Sequence, residues 1–155
     1  MDVTLRLVER DDAFALAGLR MQQDREQGRA SRDGFIVDFA DAFLDDFDSY
    51  RGWIAEEPDG RRVGCLLAQR VRKLPTLARP GRPEWWYVQQ VFVTADRRRE
   101  GLGRRLVSAA QEAATAERVR WLRLNASDAG RPLFDATGFG APVDRLREWV
   151  PGQGP

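Results

Sequence analysis

The stretch that most restricts what this chain can fold into is Trp85–Leu106, where three segments of different character follow one another without a break. Trp85–Val93 is aromatic and β-branched, the composition of a strand. Arg97-Arg98-Arg99-Glu100-Gly101-Leu102-Gly103-Arg104-Arg105 is a basic, glycine-containing loop. Leu102, Leu106, Ala109, Ala110 and Ala113 then recur at helical spacing, and good helix formers run on to about Glu117. A helix that starts immediately after a strand presents unpaired N–H groups and the positive end of its dipole, which together bind phosphate-like anions. Glycine at 101 and 103 removes a Cβ from the approach.

Charge along the chain supports an anionic ligand at this place. Residues 61–105 hold 12 bases and three acids, although the formal net charge of the whole chain is only +1. Residues 1–60 hold 15 acids and seven bases, with Asp38, Asp41, Asp45, Asp46 and Asp48 close together, so this third faces a cation if it faces a ligand at all. Two familiar phosphate loops fail on particular residues. A Walker loop needs Lys-Ser/Thr where Arg104-Arg105 stand, and a dinucleotide fingerprint needs a third glycine where Leu106 stands.

Around this centre the chain reads as one domain over residues 1–150, followed by a 151–155 tail rich in proline and glycine and expected to be disordered. Val3–Val8 predicts an opening strand ending near Glu9, with Asp11 or Asp12 capping a helix that dissolves into the polar Gln22–Arg32. Phe39–Phe47 predicts a second helix, and Trp53–Ala55 and Val63–Val71 two strands joined by Glu57-Pro58-Asp59-Gly60. Trp121–Leu124 predicts a further strand, Pro132–Ala136 a short helix ended by Gly138, and Leu146, Trp149 and Val150 a return to the sheet. The single cysteine, Cys65, and the absence of histidine leave no ordinary metal site, so no metal is expected. No apolar run is long enough for a membrane span or a signal peptide, which predicts a soluble, cytoplasmic protein with no membrane partner.

Arg98–Gly103 resembles the Arg/Gln-x-x-Gly-x-Gly/Ala signature of the GNAT superfamily of N-acetyltransferases, and Leu133-Phe134-Asp135-Ala136-Thr137-Gly138-Phe139 is similar to its Leu-Tyr-Glu-x-x-Gly-Phe segment. The resemblance implies an α/β (α+β) fold with a mixed, mostly antiparallel central sheet flanked by helices. It implies acetyl-CoA as co-substrate, with the pyrophosphate on the N–H groups of Arg99–Arg104 and Arg98, Glu100, Gly101, Leu102 and Gly103 part of that loop. The main chain of Val91, Phe92 and Val93 would pair with the pantetheine arm, one N–H would polarise the thioester carbonyl, and Asn125 and Phe134 would lie beside the sulfur.

Two departures from the family pattern bear on catalysis. Where members place a carboxylate before the glycine loop, this chain has Gln89 and Gln90, neither of which takes a proton at neutral pH; and the tyrosine that donates to the leaving thiolate is replaced by Phe134. Deprotonating an amine of pKa 10.4 at pH 7.4 costs about 4 kcal/mol, against under about 1 kcal/mol for an α-amino group near 8. Either the amine has a low pKa or a base comes from elsewhere, with Glu84 or Asp45 through water as candidates. The acceptor implied is the primary amine of a small molecule, a cationic one given the acidic first third. A protein N-terminus or lysine, and a degenerate acyl-CoA-binding module, are the alternatives. No nucleic-acid motif accompanies the basic middle, and the oligomeric state is left open, a homodimer included.

Overall fold

The computed structural model describes residues 2–141 and 147–153. Five strands, β1 (Thr4–Leu7), β2 (Tyr50–Glu56), β3 (Arg62–Arg72), β4 (Glu84–Val93) and β5 (Leu122–Arg123), form one sheet in sequence order. The first four pair antiparallel and β4 pairs parallel with β5, so the sheet is mixed and mostly antiparallel. The parallel pair requires a crossover, which α3 (Leu102–Ala116) supplies. The helices α1 (Ala13–Glu26) and α2 (Phe35–Asp45) and the short α4 (Arg131–Ala136) complete the described elements. No helix among the described residues is long and apolar enough to cross a membrane.

The sheet has apolar packing on both faces. Leu106, Val107 and Ala110 of α3 pack against Trp53, Leu66, Trp86 and Val88 on one face. Leu16 and Leu19 of α1 and Phe43 of α2 pack against Ile54, Cys65, Leu67 and Phe92 on the other. Each fully buried leucine or phenylalanine contributes about 1.5–3 kcal/mol, so the two faces hold the sheet with comparable apolar clusters. A close approach between β3 and β4 also requires Gly64, whose added Cβ would stand 2.9 Å from the Phe92 carbonyl.

Several boundaries depart from the sequence expectations. The first helix continues through polar residues to Glu26, because Leu16, Ala17 and Leu19 anchor its earlier turns and Arg20–Asp24 adds an i,i+4 pair. The second helix begins at Phe35 rather than Phe39, after Gly34 at φ +77°. Residues 147–150 form no strand, and Trp149 is 79% exposed, so the expected return to the sheet does not occur there. Leu146 lies outside the described residues.

The start of α1 is fixed to the sheet by a buried carboxylate. Asp12 is 1% exposed and accepts two hydrogen bonds from the Arg6 guanidinium, at 2.7 and 2.8 Å, and one from the Glu9 N–H at 2.8 Å. Arg6 also bridges to Glu56 of β2 at 2.7 Å. Burial pushes the Asp12 carboxyl up, but the Arg6 hydrogen bonds, the Glu9 N–H and the charges of Arg6 and Arg62 outweigh it and hold the group below its ordinary 3.8. A carboxylate with a depressed folded pKa stabilises fully above its unfolded pKa and loses that contribution as pH falls through the folded one. Asp12→Asn is therefore expected to cost about 3 kcal/mol at pH 7, the low end for a broken buried pair because Arg6 is about a third exposed. Denaturant titration should also show the deficit shrinking as pH falls below 3.8.

Candidate functional site

One extra residue in β4 shapes the site. Leu67 of β3 pairs with Gln90 and Ala68 with Val88, leaving Gln89 unpaired in a β-bulge. Without a bulge, Val88 and Phe92 would face the same side of the sheet. They belong to opposite faces, Val88 to the α3 cluster and Phe92 to the α1 cluster, because the extra residue reverses the alternation. The same reversal turns the backbone. Trp86 directs its N–H at Trp121 beside β5, whereas beyond the bulge Thr94 directs its N–H at Val63 of β3. By alternation Val91 and Val93 then direct their peptide groups away from β3. Their carbonyls accept from Gln23 Nε2 at 3.3 Å and Arg98 Nε at 2.9 Å. Phe92, expected to share in pairing with a ligand, directs its peptide groups at β3 instead.

That outer edge of β4 is open. The register between β4 and β5 stops at Trp86↔Leu122 and Tyr87↔Arg123, and β4 runs on alone to Val93, about 20 Å further. A cleft of about 470 Å³ fills the gap. It brings together Gln89, Gln90, Val91, Asn125 and Phe134, which the sequence singles out separately. Gln90 is 3% exposed, and its Nε2 has no hydrogen-bond acceptor. Phe134 packs edge-on against Phe139, with ring centroids 5.6 Å apart.

Glu84 is not brought to the cleft. It stands at the opposite end of β4, about 20 Å along the strand from Gln90, bound to Arg70 at 2.7 Å and to Arg72 at 3.5 Å. The acidic run of α2 is likewise elsewhere: Asp38, Asp41 and Asp45 are exposed, and none lines the cleft. No carboxylate lines it at all among the described residues.

Sequence reasoning passed over Tyr87. Its hydroxyl oxygen accepts a hydrogen bond from Asn125 Nδ2 at 3.1 Å, and its ring lines the cleft beside Gln89 and Phe134. The missing signal is the bulge, which no local composition announces. The chain's single cysteine, Cys65, is fully buried, and burial pushes its thiol up to about 12, so it is no nucleophile at neutral pH.

At the other end of the open edge lies the arginine loop. The first N–H of α3 to find a backbone acceptor is that of Arg105, bonded to the Gly101 carbonyl at 3.0 Å, so those of Leu102, Gly103 and Arg104 remain unpaired at the dipole's positive end. Gly101 has φ +78°, and Arg99 also takes a left-handed φ of +68°, a strain of about 1 kcal/mol of the kind found at ligand clamps. Gly103 serves packing as well as access, because a Cβ there would meet Leu133 Cδ2 of α4 at 3.2 Å.

The five surrounding arginines have different duties. Arg97 pairs with the buried Glu57, and Arg105 donates to the Val3 carbonyl at 2.8 Å. Arg98 is a staple: it bonds the Val93 carbonyl, pairs with Glu26 at the end of α1 and lies 5.5 Å from the Phe92 ring centroid. Arg99 and Arg104 have no ion pair among the described residues. They are the guanidinium groups left for an anion.

The model of the acetyltransferase (GNAT) family matches residues 16–139. No protein of curated function matches the chain in sequence. Among solved structures, a predicted acetyltransferase with acetyl-CoA from Clostridium acetobutylicum is similar, with TM-score 0.77, 19% identity and coverage of 95% of this chain and 96% of that one. AAC(6')-Iy in complex with the bisubstrate analogue CoA-S-monomethyl-acetylneamine gives TM-score 0.70 at 19% identity, covering 97% of this chain and 98% of that one. A ribosomal-protein-alanine N-acetyltransferase from Brucella melitensis biovar Abortus 2308 gives 0.69 at 22%, covering 99% and 100%. At these identities the likeness establishes the fold.

The division of labour among the arginines is testable by calorimetry with CoA. Arg99→Ala and Arg104→Ala are each expected to weaken binding about tenfold, the loss of one charge-assisted hydrogen bond of roughly 1.5 kcal/mol. Arg105→Ala is expected to lower the melting temperature while leaving CoA affinity within about twofold, since its partner is the Val3 carbonyl just before β1.

Proposed function

Since this chain belongs to the acetyltransferase (GNAT) family, we propose that it transfers the acetyl group of acetyl-CoA to the primary amine of a small molecule, by direct attack in a ternary complex. The observation that carries the reading is the open edge of β4, which joins the unpaired N–H groups of α3 to the cleft at Gln89 and Gln90. An anionic cofactor with a long amide-bearing arm fits that shape. Its pyrophosphate meets the N–H groups of Leu102, Gly103 and Arg104 with Arg99 and Arg104 beside them, and its pantetheine amides meet Val91 and Val93. Two structural neighbours, the predicted acetyltransferase with acetyl-CoA and AAC(6')-Iy with its CoA bisubstrate analogue, support CoA as the co-substrate.

In the cleft, an N–H of the open edge, that of Val91, donates to the thioester carbonyl and then to the oxyanion formed as the amine nitrogen bonds to the acetyl carbon. The C–S bond breaks as the carbonyl re-forms, and the sulfur takes a proton as it departs, so that CoA leaves as the thiol and water reprotonates the donor. Tyr87 supplies a proton to the departing sulfur, the part that Phe134 lacks the chemistry to play. Its oxygen already accepts from Asn125, which leaves the O–H free to donate. This hydroxyl counts against a purely sensory module. Direct attack is favoured over an acyl-cysteine because Cys65 is buried and protonated.

The ammonium proton goes to water, because the cleft offers amides and a phenol but no carboxylate among the described residues, and the chain has no histidine. Thiol release from acetyl-CoA with an amine acceptor is the direct test, and its absence with tight acetyl-CoA binding would overturn catalysis. The pH profile of kcat/KM is expected to rise with unit slope up to the acceptor amine's own pKa. A plateau set below that value would reveal an enzymic base. Tyr87→Phe is expected to reduce kcat by about 10²-fold with little change in CoA affinity, the usual scale of a general acid.

A further inference from the structure

The charge of the cleft runs opposite to the charge of the first sixty residues. Its wall on the α1 side carries Arg20 and Arg29 as its only charged groups among the described lining residues. Both lean on the same carboxylate: Arg20 Nε lies 3.2 Å from Asp24 Oδ1, and Arg29 Nη1 lies 2.6 Å from it. Two guanidinium groups sharing one carboxylate leave a net positive charge, and beyond Asp24 and the bond from Arg29 Nη1 to Gln27 Oε1 at 2.6 Å their remaining N–H groups have no acceptor among the described residues. Asp128, the nearest acid in sequence to the cleft's Ser127, pairs with Arg131 at 3.3 Å and has a 99% exposed side chain. It leaves the charge of the wall unchanged.

A second, independent feature points to the same kind of ligand. Gln90 is 3% exposed, lines the cleft and holds a buried amide N–H₂ with no acceptor. Leaving such a donor unpaired costs about 1–3 kcal/mol, so a ligand oxygen there is favoured. The Gln23 amide, which also lines the cleft, commits its Nε2 to the Val91 carbonyl and leaves a buried Oε1 with no donor. The unmet needs are thus donors of net positive charge along one wall and, one helical turn from Arg20, a single acceptor suited to an amine N–H.

We infer that the acceptor is a small primary amine bearing a carboxylate, with the carboxylate held by Arg20, Arg29 and the Gln90 amide and the amine nitrogen presented to the thioester past Gln23 Oε1. The inference rests on the acetyl-transfer reading above and replaces the cationic acceptor expected from the acidic first third, whose aspartates on α2 lie outside the cleft. Guanidinium suits this duty because its fixed fork matches a carboxylate in two hydrogen bonds.

The test compares three acceptors of equal chain length in the thiol-release assay: an ω-amino acid, its carboxamide and the corresponding diamine. The amino acid is expected to have the highest kcat/KM, at least about tenfold above the carboxamide, for one charge-assisted bond. The Arg20→Ala, Arg29→Ala double variant should erase that preference through acceptor KM while the KM for acetyl-CoA stays within about twofold. Equal or better use of the carboxamide or diamine overturns the inference, as does a preference that survives the double variant. Calorimetry with acetyl-CoA on the same protein separates the two levels. Binding without the carboxylate preference sinks the acceptor class alone, and no binding sinks the acetyl-transfer reading beneath it.

Discussion

The site depends on the bulge at Gln89. A regular β4 would carry the peptide groups of Gln90 and Phe92 to the open edge and bury those of Val91 and Val93 against β3; the extra residue exchanges the two sets. It also sends the Gln90 side chain to the α1 face, where the strand without it would place it among the α3 cluster. One inserted residue therefore decides both which N–H groups the open edge presents and which side chain enters the cleft beside it. The splay of β5 after Arg123 is the other half of the arrangement, since a fully paired β5 would consume the same edge.

Much of this was legible in the sequence where the signal is local. The aromatic β4, the arginine-glycine turn and the apolar stripe of α3 are each written in consecutive residues, and their order gives the crossover that a parallel β4–β5 pair requires. The hairpin at Glu57–Gly60 was equally plain, and the Gly60 N–H does donate to the Glu57 carbonyl at 2.8 Å. What escaped is set by distant contacts. The bulge arises from register against β3, so neither the exposure of Tyr87 to the cleft nor its bond to Asn125, 38 residues away, has a local sign. Glu84 is a carboxylate on the right strand, but its position at the far end lets Arg70 and Arg72 claim it.

Charge counting erred for a related reason. Summing the first third correctly finds an acidic segment, but the aspartates of α2, Asp38, Asp41 and Asp45, are exposed and lie outside the cleft that α1 and β4 line. The two arginines that do line the cleft are a small minority of that segment's charges. Composition reports how much charge an element carries, while the direction of each side chain decides what a ligand meets.

The same distinction governs the arginine loop, where five like residues in a nine-residue stretch, Arg97–Arg105, would look interchangeable. Partners separate them: Arg97 and Arg105 tie the loop to Glu57 and to Val3 just before β1, and Arg98 ties it to β4 and to Glu26 at the end of α1. Arg98 thus connects the arginine loop to the helix that supplies Arg20 and Gln23. At its other end that helix is held by Asp12 and Arg6. The wall of the cleft is fixed at both ends by guanidinium–carboxylate contacts, one buried at the sheet and one exposed at the loop. Because an exposed pair is weak and a buried one is costly to break, the sheet end contributes more than the loop end to keeping the wall in register.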